Sequence, residues 1–268
     1  MKKSGRTIIV FGLLVFLGFP LAAVAAGNNL SVGIGFNYAT GDYGTSKTTD
    51  SLAIPLEVDF YPTKRLNFEL VIPYLYQNNS NTIFAGGMRY SMANTSRRMR
   101  PGFNLNQSQS GLGDITLTTG YGLLPETATR PLVRGLLYLQ FPTGDENKGL
   151  GTGEFAAGPG LSVSKWFQQW NVYGETRYIF QGSNSDIGLK DYLTLDGEVG
   201  YAVNRSVLPS IALWYATAPS DDSSDLLEAR LKVKYKITDV LLAEGYLLKG
   251  LSNSSADFGL GASISYSF

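Results

Sequence analysis

Along most of this chain, apolar and polar residues alternate with a period of two, and they do so over long stretches. In "SLAIPLEVDF", Leu52, Ile54, Leu56, Val58 and Phe60 share one face, while Ala53, Pro55, Glu57 and Asp59 share the other. Period two is the signature of a strand with two unlike faces. Strands of soluble sandwiches usually run about five or six residues, whereas a tilted strand crossing a bilayer needs roughly ten. The same pattern recurs in "LSVGIGFNYA", "LNFELVIPYLYQ", "GDITLTTGYGLL", "EFAAGPGLSVSKW", "WNVYGETRYIFQ", "YLTLDGEVGYAV", "VLPSIALWYAT", "LLEARLKVKYKI" and "DFGLGASISYSF". It is blurred in "PLVRGLLYLQF", where Arg134 and Gln140 mark the polar face. It is weakest in "DVLLAEGYLLKG", where Glu244 and Lys249 have opposite parity.

These segments predict about twelve strands. Their connections alternate in length. "YPTKR", "LPETATR", "FQQ", "NRS" and "TD" are short; the segments between them, including one from about Asn78 to Ser110, are long. Short turns on one side and long loops on the other describe an outer-membrane barrel with periplasmic turns and extracellular loops. The expected fold is therefore all-β: a transmembrane antiparallel β-barrel with both termini on the periplasmic side. The final "SYSF" is expected to close the barrel against the first strand, because an open edge in lipid would leave backbone groups unpaired. A terminal aromatic after alternating apolar residues also resembles the signature that barrel-insertion machinery reads. Aromatics cluster at strand ends (Phe60 and Tyr61, Tyr74 and Tyr76, Trp166, Phe167 and Trp170, Trp214 and Tyr215), where amphipathic rings suit the bilayer interfaces.

The first residues break the pattern. "MKKSGR", the apolar "TIIVFGLLVFLGF" and the small residues of "PLAAVAAG" form the three regions of a secretory signal peptide. Residues 1–26 are expected to be removed, leaving residues 27–268 as the barrel. Their removal takes away Lys2, Lys3 and Arg6 and no acid, so a chain of zero formal charge becomes mildly acidic. A nucleic-acid footprint is absent. Mean hydropathy is −0.02, and no later apolar run is long enough for a spanning helix. The location expected is the outer membrane of a Gram-negative bacterium, with lipid and lipopolysaccharide as surroundings and a monomer as the assembly.

The chain contains no cysteine and no histidine. The first absence removes lipoprotein anchoring, disulfides and thiolate metal sites. The second removes every nucleophile–histidine arrangement. A carboxylate pair of the glycosidase kind would remain, but no sugar-binding motif accompanies it. No enzyme activity, cofactor or metal is expected.

The polar faces carry the candidate site. Glu57, Asp59 and Glu69 form an acidic wall on the second and third strands; Arg230, Lys232, Lys234 and Lys236 form a basic wall on the tenth. Arg134, Glu175, Arg177, Asp196, Glu198 and Glu244 lie between them. If the short turns set the register, Arg177 sits beside Asp196 and Lys232 beside Glu244. Two opposed charged walls would orient dipolar solutes and select by charge, as in a porin constriction. The competing reading is a plug: a twelve-stranded barrel has a backbone radius of roughly 12 Å, and paired charges can fill it. The long loop from about residue 78 either folds inward to constrict the pore or stays outside, where "RRMR" (Arg97 to Arg100) would be solvated or face lipopolysaccharide phosphates. Pro55 and Pro73, inward on adjacent strands, and the outward Pro159 and Pro209 are candidate breaks for lateral release through the wall.

One stretch is more specific. "GLGD" (Gly111 to Asp114), "FPTGD" (Phe141 to Asp145), "KGLGTGE" (Lys148 to Glu154) and "LSVSK" (Leu161 to Lys165) resemble the outer-membrane β-barrel family named for the MetA-pathway of phenol degradation, whose members are often called transporters. The good match covers roughly residues 111–182. The resemblance implies a channel or transporter for small solutes, aromatic or hydrophobic ones among them, and brings no catalytic residues. By its turn residues "PTGD…KGLGTG" reads as a glycine-rich loop; no "GK[ST]" follows to make it a phosphate cradle. The alternative to a channel is a closed structural or surface-interaction barrel whose extracellular loops are the working part.

Overall fold

The computed structural model describes residues 29–79, 81–91, 107–184 and 187–268. The expected signal peptide and the Arg97–Arg100 run lie outside the described residues. The strands are β1 (Leu30–Gly41), β2 (Thr49–Phe60), β3 (Leu66–Gln77), β4 (Thr82–Ala85), β5 (Met88–Ser91), β6 (Gln109–Leu112), β7 (Ile115–Leu124) and β8 (Leu132–Phe141), followed by β9 (Ala156–Phe167), β10 (Trp170–Gln181), β11 (Tyr192–Tyr201), β12 (Val207–Ala216), β13 (Leu226–Lys236), β14 (Leu241–Gly250) and β15 (Phe258–Ser267).

Each barrel strand pairs antiparallel with its chain neighbours, and β1 pairs with both β2 and β15, which closes the ring. β6 and β7 both pair with β3 and together make one wall strand, so the barrel has twelve. β4 and β5 stand apart as a two-stranded hairpin. The closed ring gives each wall strand a partner on both sides, which is the condition for crossing hydrocarbon with strands.

The alternation sorts side chains as the pattern demands. Outward residues such as Ile211, Leu213 and Leu231 are 61%, 53% and 58% exposed. Exposure of that size in a row along each strand is a lipid-facing band. Trp214 departs from the expected interfacial belt. Its parity on β12 turns it inward, where it packs against the apolar cluster of the lumen. Lys249, of opposite parity to Glu244, points outward at the loop end of β14, and its Nζ donates to the Asp257 carbonyl at 2.9 Å.

Proline interrupts less than expected. The register is unshifted past Pro55, Pro159 and Pro209, although pairs are missing at Pro55 between β1 and β2 and at Pro159 between β9 and β10. Pro55 and Pro73 face each other across β2 and β3. The break is on the neighbouring strand instead: Val71 pairs with Thr116 but Tyr74 with Leu112, so an extra residue is accommodated around Gly113 and Asp114. This is a β-bulge. The Gly113 amide donates to the Pro73 carbonyl at 2.8 Å.

The bulge explains the glycine-rich motifs. Beside it Asp114 points into the barrel with the parity of Thr116 and Thr118 and is 3% exposed. There Oδ1 accepts from the Gly144 amide (2.9 Å) and Oδ2 from the Thr152 amide (3.0 Å) and Gln140 Nε2 (2.9 Å). "GLGD", "FPTGD" and "KGLGTGE" thus meet at one carboxylate. Gly151 is required by close approach, since a Cβ there would collide with Asp114.

Candidate functional site: the barrel lumen

The first part of the long third connection folds inward. β4 and β5 form a hairpin inside the barrel, joined through Gly86 and Gly87 with φ +59° and +78°. Two positive φ values in a two-residue turn suit Gly-Gly. That dipeptide, between Ile83 and Met88, was a readable hairpin signal that strand-length periodicity passes over.

Ile83, Ala85, Met88 and Tyr90 are all at most 6% exposed. They pack against inward residues of the far wall, including Tyr138, Ile179, Tyr192, Ala216 and Leu226. The Phe84 amide donates to the Gly149 carbonyl at 3.1 Å. Arg89 Nη1 donates to Gln77 Oε1 and, at 3.1 Å, to Thr82 Oγ1. Gln77 Nε2 in turn donates to the Lys148 carbonyl at 2.7 Å. The hairpin and its partners therefore narrow the extracellular half of the lumen. Toward the periplasmic ends the inward side chains open up: those of Lys234 and Lys236 are 40% and 49% exposed.

The charges on the inward faces do not form two opposed walls. Except for Arg134, the expected basic residues pair with nearby acids. Arg177 Nε pairs with Glu175 at 2.6 Å, and Arg230 Nη2 with Glu228 at 2.6 Å. Lys232 Nζ lies 2.8 Å from Glu198 and 3.5 Å from Glu244; Lys234 is 3.6 Å from Glu244. Lys236 pairs with Asp239 of the following turn at 2.7 Å. Arg134 hydrogen-bonds Asn67 two strands away, reaching over Gly120. By contrast, Glu57, Asp59 and Glu69 have no ion pair among the described residues, and Asp59 stands directly opposite Glu69.

Two register expectations shift by two residues. Asp196 pairs with Glu175, while Arg177 pairs with Thr194. Lys232 pairs with Tyr246, and Lys234 with Glu244. The β10–β11 connection is long and sets no register, and the β13–β14 turn spans 237–240 rather than "TD" alone. Lys232 still reaches Glu244, because a lysine spans one diagonal step.

Sequence reasoning missed Glu228, 7% exposed, although its parity on β13 already placed it inside. It also missed the aromatic floors beneath the arginines. Arg177 lies over Tyr138 at 5.7 Å, and Arg230 over Trp214 at 5.6 Å and Tyr246 at 6.0 Å. Around the hairpin tip the lumen retains cavities. One of about 290 Å³ runs from Tyr43 and Leu248 down to Glu57, Glu69 and Arg177. Another of about 220 Å³ continues from Glu69 and Arg177 toward Tyr61 and Arg134 at the periplasmic end.

With this geometry in view, relatives can be compared. A model of the family described as "Putative MetA-pathway of phenol degradation" matches residues 85–268. The chain belongs to that family. The match takes in the Asp114 bulge, the glycine-rich loop and the wall from β7 to β15. Among solved structures, an outer membrane channel from Pseudomonas putida F1 superposes with a TM-score of 0.66 at 17% identity, covering 90% of this chain and 96% of that one. The NanC porin gives 0.53 at 11% identity, covering 89% and 100%, and the KdgM porin 0.52 at 11%, covering 88% and 99%. At these identities the likeness is one of fold, and the neighbours are outer-membrane β-barrels. No curated protein matches the chain.

Proposed function

We propose that this family member is an outer-membrane channel that admits small solutes through its charge-lined lumen, past the inward hairpin. The observation that carries the reading is the set of cavities around the hairpin tip, which continue from the apolar upper half to the charged periplasmic half. The relatives support it: one is an outer membrane channel and two are porins. The family description adds aromatic compounds as candidate solutes. The cavity fits a solute with an apolar body and at least one polar group. Phe84, Met88 and Leu248 line its upper part, and Glu57, Glu69 and Arg230 its lower part. The monomer, embedded in lipid and lipopolysaccharide after export, belongs to the same proposal.

A second reading has its own observation. The apolar cluster beneath the extracellular loops fills the lumen tightly enough to suit a closed barrel whose loops do the work. Single-channel recording on refolded protein separates the two. Discrete ohmic steps are expected, with selectivity moving toward cations in Lys232→Glu. A folded, heat-modifiable barrel without steps would refute the channel.

A further inference from the structure

The two glycines at the hairpin tip are not equivalent. A Cβ on Gly86 would come 2.9 Å from the Tyr192 hydroxyl and 3.3 Å from that of Tyr138, whereas a Cβ on Gly87 would meet nothing within 4 Å. One glycine is pressed against the wall; the other faces empty space inside the barrel. That space is shared. Cavities of about 290, 230 and 300 Å³ all have Gly87 and Arg230 in their walls. The first rises toward Tyr43, the second lies against Asp196 on β11, and the third descends to Ser263 on β15.

Arg230 is a fixed boundary. Glu228 holds its Nη2 at 2.6 Å and its Nε at 3.2 Å, and the guanidinium lies over the rings of Trp214 and Tyr246. A positive φ of +78° at position 87 is one that asparagine or aspartate also adopts. The left-handed backbone favours glycine at position 87, while no neighbouring atom would obstruct a side chain placed there.

We propose that the gap between Gly87 and Arg230 is the selectivity-setting constriction of the lumen, where a solute leaves the upper cavity for the lower ones. This rests on the channel reading above. At the gap a solute meets a partly exposed guanidinium with Glu57 and Asp196 lining the same cavities, so small polar or amphipathic molecules pass in preference to bare hydrocarbons.

The chain has no cysteine, so Gly87→Cys in the full barrel carries a single thiol. The folded protein is treated in detergent with a cationic methanethiosulfonate reagent, then recorded in planar bilayers. Labelling of the folded barrel is expected, with at least a twofold fall in conductance and a larger fall for a bulkier reagent. Gly87→Asn, which keeps the left-handed backbone, should lower conductance without reagent. Ala128→Cys, exposed in the turn between β7 and β8, should label and leave conductance unchanged. A thiol at position 87 that reacts only after unfolding, or reacts with conductance unaltered, overturns the constriction. If the unmodified barrel shows no steps, the channel reading fails by itself. Labelling then decides the inference: reaction in the folded barrel upholds a solute-accessible gap, and protection ends it.

Discussion

Asp114 joins three sequence motifs at one buried carboxylate, and its removal has a calculable cost. In Asp114→Ala, the Gly144 amide, the Thr152 amide and Gln140 Nε2 all lose their acceptor. Gly144 is only half-buried and can turn to water, but Thr152 and Gln140 are each 1% exposed. Leaving a buried donor unsatisfied costs about 1–3 kcal/mol. Two such donors, less the relief of no longer burying a carboxylate, give a loss on the order of 3 kcal/mol. Asp114→Asn keeps one acceptor oxygen but presents an amide NH₂ to a donor, so its loss should be smaller than that of the alanine variant. Urea unfolding of the refolded barrel, followed by tryptophan fluorescence and by gel mobility of unheated samples, measures both. The expected order is wild type, Asn, Ala, with the m-value unchanged. If both variants stay within about 0.5 kcal/mol of wild type, the range of an ordinary surface substitution, the carboxylate is not the tie described here.

Further outcomes are expected elsewhere in the barrel. Replacing residues 82–91 by a short Gly-Ser linker should raise single-channel conductance severalfold; unchanged conductance would mean that the hairpin is not the obstruction. Glu57→Gln combined with Glu69→Gln should reduce cation preference, read from reversal potentials in a salt gradient, because these acids make no ion pair among the described residues while Arg177, Arg230 and Lys232 do. Asp59→Asn alone should stabilise the barrel by a few tenths of a kcal/mol by removing a like-charge cross-strand pair; a loss instead would show that Asp59 has a favourable partner. In the periplasmic turn, Glu126 accepts from the Trp166 amide at 2.9 Å and from Lys165 at 3.0 Å, and these bonds, the Trp166 one foremost, hold its carboxyl below the usual range. A depressed folded value means that the tie is intact above the ordinary glutamate range and is lost as pH falls through the lower, folded value. An acid titration of Trp166 fluorescence should show that step, and Glu126→Gln should abolish it.

Which face of each strand meets lipid was already determined along the chain. Ile211, Leu213 and Leu231 point outward and Glu57, Arg177 and Lys232 inward because side-chain direction in a strand has period two, a local property. Turn and loop lengths likewise distinguished the two ends of the barrel. Parity alone also assigned Trp214 and Glu228 to the lumen, against a belt reading of the tryptophan. Register was different. A two-residue slip preserves every side chain's face, so the pattern could not tell whether Asp196 opposes Arg177 or Glu175, and the long connection after Gln181 supplies no turn geometry to decide it. The charge pairing inside followed from that register: Lys232 between Glu198 and Glu244, and Arg230 on Glu228 over Trp214, turn apparent opposed walls into one compensated side and one uncompensated. The inward hairpin was decided only in three dimensions. Its strands are too short for periodicity to detect, and its place is set by Ile83 and Tyr90 burying against Ile179, Tyr192 and Leu226, contacts between residues far apart in the chain that exist only once the barrel has closed around them.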